Sequence, residues 1–226
     1  MRVTWLGQAG LLFDNGSTKI MVDPYLSNSV EKAEPENYRR VPVNEAFLSV
    51  TPDVLIFTHD HLDHYDSETA SVFLNRKEKK MTVLVPTSVW QRARKFGHHN
   101  YVLFDRFTEW SERGLRFSAV KAAHSDPYAI GVIIESLVEG KTYYITGDTL
   151  YSKEIFGSLP QGIDVVFLPV NGVGNNMNEV DAVRFFRACG AKRAVPYHVG
   201  MFDDKTPCIF NDDNKIILEI YKEREI

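Results

Sequence analysis

The stretch Thr58-His59-Asp60-His61-Leu62-Asp63-His64 constrains this chain more than any other, because it follows directly on the apolar run Val54-Leu55-Ile56-Phe57. Three histidines and two aspartates in seven residues supply the nitrogen and oxygen donors that divalent first-row metals take from proteins. A buried strand that empties into them holds those donors at the end of a rigid element, where catalytic side chains tend to sit. The plainer alternative is a polar turn that happens to be rich in histidine.

The rest of the pattern is that of an α/β chain, with one domain over residues 1–226 as the economical organisation. Strands are predicted over 3–6, 10–14 and 18–22, the last two joined by Asn15-Gly16 as a type I′ turn. The segment 25–51 breaks the pattern and is either a long excursion or holds a short helix near 44–49. Further strands fall over 54–57, 82–85, 101–104, 115–122, 129–137, 142–146, 164–170 and 192–196, with a last one over 216–221. Helices fall over 67–75, from Thr87 to 95, and over 179–189, with Ser67, Thr87 and Asn178 as their N-caps. Strands in both halves with helices between them suggest two packed sheets with helices outside.

A net charge of -4 and the absence of a long basic run leave no electrostatic footprint for nucleic acid. No apolar run approaches the roughly 18 residues of a membrane span, and no secretory signal pattern opens the chain. The two distant cysteines, Cys189 and Cys208, fit free thiols in a reducing cytoplasm better than a disulfide framework or a zinc ribbon.

Three other strands end on metal-ligand side chains: 115–122 leads to His124, 142–146 to Gly147-Asp148-Thr149, and 192–196 to Tyr197-His198. Neighbouring strands that end at one sheet edge can bring such side chains together. In this order, Thr-His-x-His-x-Asp-His, then His, Gly-Asp-Thr and a late His resemble the metallo-β-lactamase superfamily. The resemblance extends to Trp5-Leu6-Gly7-Gln8-Ala9-Gly10 and to Val22-Asp23-Pro24-Tyr25. With Pro196-Tyr197-His198 and the glycine-asparagine loop after Pro169, it is nearest the branch containing L-ascorbate-6-phosphate lactonase.

The resemblance implies a four-layer αββα sandwich with two divalent ions at one edge. It assigns His59, His61 and His124 to the first ion, Asp63, His64 and His198 to the second, and Asp148 to both. Asp63 and Asp148 would be the catalytic carboxylates. Asp23 would orient a ligand by hydrogen bond, or else only shape the Asp-Pro turn. Zinc and manganese both suit these donors and iron is compatible, since affinity order is a poor guide to occupancy. A metal-bound hydroxide is then the expected nucleophile.

Weaker signals are open in both directions. Asn171 and Asn175 could contact substrate or serve turns. Arg39 and Arg40 could grip a substrate phosphate or form a solvated pair. Tyr25, Tyr151 and Tyr197 flank ligand positions and could line a pocket, and His98-His99 is expected to be exposed. The leading expectation is a cytoplasmic hydrolase of a small, anionic ester such as a phosphorylated sugar lactone. It would work on a small-molecule substrate without a membrane or nucleic-acid partner, and self-association is left open. A phosphodiesterase acting on a cyclic nucleotide or RNA, and a non-catalytic metal-binding sensor, are the alternatives.

Overall fold

A computed structural model describes residues 1–205 and 208–226. Its first sheet is built from β1 (Arg2–Gly7), β2 (Gly10–Asp14), β3 (Lys19–Val22), β4 (Val54–Ile56), β5 (Thr82–Val85) and β6 (Asn100–Leu103). Its second holds β7 (Glu109–Glu112), β8 (Leu115–Lys121), β9 (Ile130–Ser136), β10 (Lys141–Ile145), β11 (Val165–Pro169) and β12 (Arg193–Tyr197). A terminal strand, β13 (Glu223–Glu225), pairs antiparallel with β1, so the first sheet runs β13-β1-β2-β3-β4-β5-β6 and the second β12-β11-β10-β9-β8-β7. Both sheets are mixed: β3 to β6 and β10 to β12 are parallel, the remaining neighbours antiparallel.

The period of two along a strand explains the layering. Val3, Leu11, Phe13, Ile20, Val22, Val54, Ile56 and Leu84 point to the core between the sheets. The residues alternating with them, Leu12, Met21, Leu55, Phe57, Val83 and Val85, form a separate core on the other face. There they meet α2 (Ser67–Leu74) and α3 (Thr87–Arg94) through Ala70, Phe73, Leu74, Val89 and Ala93. In the second sheet Tyr143 and Phe167 pack on Phe13, with ring centroids at 6.2 and 5.2 Å. Tyr144 turns the other way, toward Phe185 of α5 (Glu179–Cys189), which also packs on Phe156 of α4 (Lys153–Phe156). Two sheets with helices on both outer faces make the expected αββα sandwich.

Local expectations are met in part and corrected in part, the short helix near 44–49 among those met. The segment 25–51 contains α1 (Ser29–Ala33) as well as a 3-10 turn at Glu45–Ser49. Asp66, not Ser67, caps α2 by accepting from the Glu68 and Thr69 N–H groups. Pro86 precedes α3, and Thr87 instead bonds Asp105 through its N–H and hydroxyl. Asn178 does cap α5, accepting from Asp181 N. At the first hairpin Gly16 has a φ of +90°. Asn15 has none of the positive φ a type I′ turn needs, and its side chain accepts from Ser17 and Thr18 instead. His99 is buried, accepting from Met81 N and donating to Leu74 O, while His98 is exposed.

The stretch 216–221 is not a strand. Ile216 and Leu218 point inward with strand-like alternation, but the chain bridges only at Ala194–Lys215 in the second sheet and Trp5–Ile220 in the first. A segment that crosses from the edge of one sheet to the edge of the other cannot continue a ladder with either. No helix is long and apolar enough to cross a membrane among the described residues.

Candidate metal centre

Strands β8, β10 and β12 run in one direction through the second sheet, so their carboxyl ends share an edge. Strand β4 delivers Thr58 and the histidine cluster to that edge from the first sheet. Gly147, after β10, takes a φ of +61°, and a Cβ there would lie 2.7 Å from Ile130 O and 3.3 Å from Thr58 Cβ. The chain can pass between the two sheets at this point only as glycine. Asp23 and His198 also have positive φ, +45° and +63°, a cost that side-chain residues bear mainly where function or packing over-determines them.

Hydrogen bonds fix which nitrogen His59, His64 and His124 turn to the cluster. Asp23 accepts at Oδ1 from Thr58 N (2.7 Å) and at Oδ2 from Thr58 Oγ1 (2.5 Å) and His64 Nδ1 (2.8 Å). A carboxylate only accepts, so His64 donates from Nδ1 and turns its Nε2 toward the cluster. The one Thr58 hydroxyl hydrogen is likewise spent on Asp23, so Thr58 Oγ1 accepts from His59 Nδ1 (3.1 Å). His59 Nε2 is then a bare acceptor, fully buried and without a partner. The Asn175 carbonyl accepts from His124 Nδ1 (3.2 Å), which turns His124 Nε2 toward His61 Nδ1 at 3.1 Å.

Ring nitrogens and carboxylate oxygens therefore converge, with Asn171 Nδ2 donating to His198 Nδ1 (3.3 Å) on the far side of that ring. His64 Nε2 lies 3.1 Å from His198 Nε2, and Asp148 Oδ1 lies 3.2 and 3.1 Å from the two. Asp63 Oδ2 is 3.4 Å from His198 Nε2. Asp63 Oδ2 and Asp148 Oδ1, like His59 Nε2, are buried without a hydrogen-bond partner. Buried acceptors facing one another repel unless protons or a cation sit among them. Three groups of donors lie within 4.8 Å: His59, His61 and His124; His59, His64 and Asp148; and Asp63, His64 and His198. Their chemistry, imidazoles with two carboxylates, fits divalent ions.

Electrostatics give the same sign. Burial works against charge on His64, but Asp148, Asp63 and Asp23 outweigh it and raise its pKa well above the ordinary value. Burial also opposes charge on His198, and Asp148 reverses that, raising it to about 10. Burial pushes the Asp148 carboxyl up, yet His198 and His64 bring it well below the carboxylate range. His59, desolvated and next to His64, is held well below its usual value. The carboxylates thus draw positive charge to His64 and His198, while His59 is kept as a neutral donor.

The seven side chains singled out by the sequence all reach this cluster, with Asp23 behind them. A cavity of about 180 Å³ opens over it, lined by His61, Asp63, His124, Asp148 and His198 together with Ser125, Asn171, Asn175, Asn176 and Phe202. Arg39 is elsewhere: its guanidinium donates to Tyr25 O (2.7 Å), Leu6 O (3.0 Å) and the Tyr221 hydroxyl (2.9 Å). Arg40 pairs with Asp204 (2.8 Å). Neither lines the cavity, and neither do Tyr25, Tyr151 or Tyr197. Sequence reasoning missed Thr58, whose hydroxyl orients His59 and braces Asp23, and Asn176, which donates to Asp148 Oδ2 (2.8 Å) and leaves Oδ1 free. Position 176 was visible only as part of an asparagine-rich loop.

Residues 18–199 match the beta-lactamase superfamily domain. A UPF0173 metal-dependent hydrolase of Ligilactobacillus salivarius is 27% identical over 215 residues, covering 89% of this chain and 86% of that protein. Among solved structures, an isothiocyanate hydrolase from Delia radicum gut bacteria superposes with a TM-score of 0.72 at 21% identity, covering 100% of this chain and 99% of the other. The metallo-beta-lactamase fold protein YhfI of Bacillus subtilis gives 0.71 at 17% identity, covering 99% and 98%. With a family match over most of its length and the matching sandwich, the chain belongs to the metallo-β-lactamase superfamily.

Proposed function

We propose that the protein is a metal-dependent hydrolase of a small ester, a lactone being the leading case. The observation that carries this reading is that His59 Nε2, Asp63 Oδ2 and Asp148 Oδ1, buried acceptors with no partner, fall in overlapping groups of metal-donor side chains at the sandwich edge. His59, His61 and His124 would hold one divalent ion, Asp63, His64 and His198 a second, with Asp148 serving both; zinc and manganese suit these donors, and iron is compatible. Ions bound there supply Lewis acidity toward a water and toward the oxygen of the electrophile. The relative in Ligilactobacillus salivarius carries the name metal-dependent hydrolase, which supports the same activity here. A reducing cytoplasm suits the free thiols Cys189 and Cys208.

The chain's own groups have separable tasks. Asp23 and Thr58 keep the hydrogens of His64 and His59 on Nδ1, so both Nε2 atoms face the cluster. Asn176 fixes the Asp148 carboxylate through Oδ2. Asp63, at the cavity wall, is placed to take a proton from an attacking water and pass it to the leaving oxygen. Asn175 lines the cavity with an amide for a substrate oxygen, whereas the Asn171 amide is engaged with His198 Nδ1 (3.3 Å) and Val173 N (3.3 Å). The phosphorylated sugar lactone is the version least supported. No Lys or Arg is among the described residues lining the cavity, and Lys205, 3.3 Å from Asn171 O, is paired with Glu179 at 2.8 Å.

The test is a panel of lactones, thioesters and phosphodiesters assayed with and without EDTA on protein purified without chelator. Lactone turnover that EDTA abolishes is the expected result. Cleavage of bis-p-nitrophenyl phosphate alone, or bound metal with no turnover of any ester, would contradict it.

A further inference from the structure

A second cavity, of about 270 Å³, shares His61, Asp63 and Phe202 with the wall of the first. The rest of its lining is Val30, Ala33 and Glu34, from α1 and its end, and Leu62. Val30 is buried and packs in a small cluster with Tyr25 and Met201, against which Phe202 lies. The chamber is thus apolar except for the metal-facing His61 and Asp63 at one side and the exposed Glu34 at the other. Among the described residues that line it there is no cation.

We propose that this chamber is the binding site for an uncharged apolar tail on the substrate, attached to the group that reacts at the metal centre. The inference rests on the hydrolase reading and deepens it. Continuity identifies the occupant: a molecule whose reactive group lies against Asp63 and His61 can extend directly over Phe202 toward Val30 and Leu62. Size agrees, since a dry cavity of about 150 Å³ takes a benzene ring, so the chamber holds a ring or a medium-length alkyl chain. Glu34 at the mouth selects against a tail that ends in an anion. The long segment between β3 and β4 thereby has a role, supplying the α1 wall of the substrate site.

A homologous series of n-alkyl hydroxamic acids tests this without turnover, because the hydroxamate is held by a divalent ion and the chain must then go somewhere. Calorimetry on the metal-loaded protein is expected to show affinity rising about threefold to fourfold per added methylene, then levelling once the chamber is full. Ala33→Trp, on an exposed position at the chamber wall, should flatten that slope. Glu34→Lys should improve binding of a chain ending in a carboxylate by about tenfold. An affinity independent of chain length, or a slope unaltered by Ala33→Trp in a variant with wild-type circular dichroism, would overturn the proposal. A slope without any ester hydrolysis would retain the chamber and remove the hydrolase reading; hydrolysis with a flat series would do the reverse.

Discussion

At the residue scale, the Thr58 hydroxyl determines what the His59 imidazole presents and braces the Asp23 carboxylate that holds His64. It has one hydrogen, given to Asp23, and so it must accept from His59 Nδ1. Thr58→Val keeps the shape and removes both bonds. We expect metal affinity to fall about 10–100-fold, the usual cost of losing a group that orients a ligand, with Thr58→Ser restoring it; isothermal titration would measure this, and unchanged affinity in Thr58→Val would refute the role. Gly147→Ala is expected to destabilise the fold by roughly 1–3 kcal/mol, read by urea unfolding, because its Cβ would meet Ile130 O at 2.7 Å. The difference in legibility between these residues is physical. Donor types at strand ends, His59 to His64, His124, Asp148 and His198, can be read from residue identity and order. The tasks of Thr58 and Asn176 depend on which partner takes which hydrogen, and Arg39 reads as a free cation until its carbonyl partners are seen.

At the scale of elements, strands with a buried alternating or continuous apolar pattern were legible: β1 to β5 and β8 to β12 all follow it. Glu109–Glu112 and Glu223–Glu225 were not, since edge strands with charged, largely exposed side chains carry no apolar pattern and are placed mainly by backbone pairing. Helices α1 and α4, of five and four residues, are too short to show a period. The stretch 216–221 misled because inward alternation reports burial rather than ladder formation. Asp53, at the start of β4, ties neighbouring strands: it accepts from Lys19 N (2.9 Å) and pairs with Lys79 (2.7 Å) and Arg113 (3.5 Å). Burial raises its pKa, but the Lys19 N–H and the two cations outweigh this and hold it below the ordinary carboxylate value. A depressed folded-state pKa means its contribution is present above the unfolded value near 3.8 and lost as pH falls through the folded one. Asp53→Asn should therefore lower stability at pH 7 and shallow the acid limb of stability against pH; parallel curves for the two proteins would contradict this. Phe13→Ala, emptying the space between the sheets beside Phe167 and Tyr143, should cost about 3–5 kcal/mol in the same unfolding measurement.

At the scale of the whole molecule, the ligands come from four strand ends on two sheets, so the cluster exists only once the sandwich has closed. Ion binding and folding are then linked. An ion present at about 100 times its dissociation constant adds roughly 2.7 kcal/mol, or about 5–10 °C in Tm for a domain of this size. Chelation should lower the calorimetric Tm by that amount, and readdition of zinc or manganese should restore it. The central claim, that this edge is a two-ion centre, is tested most directly by counting divalent ions per chain by mass spectrometry after reconstitution and dialysis. The account predicts about two per chain in the wild type and a loss of bound ion in Asp148→Ala, whose carboxylate lies against both His64 and His198. A wild-type chain that retains no ion, or an Asp148→Ala variant that holds as many as the wild type, would contradict it.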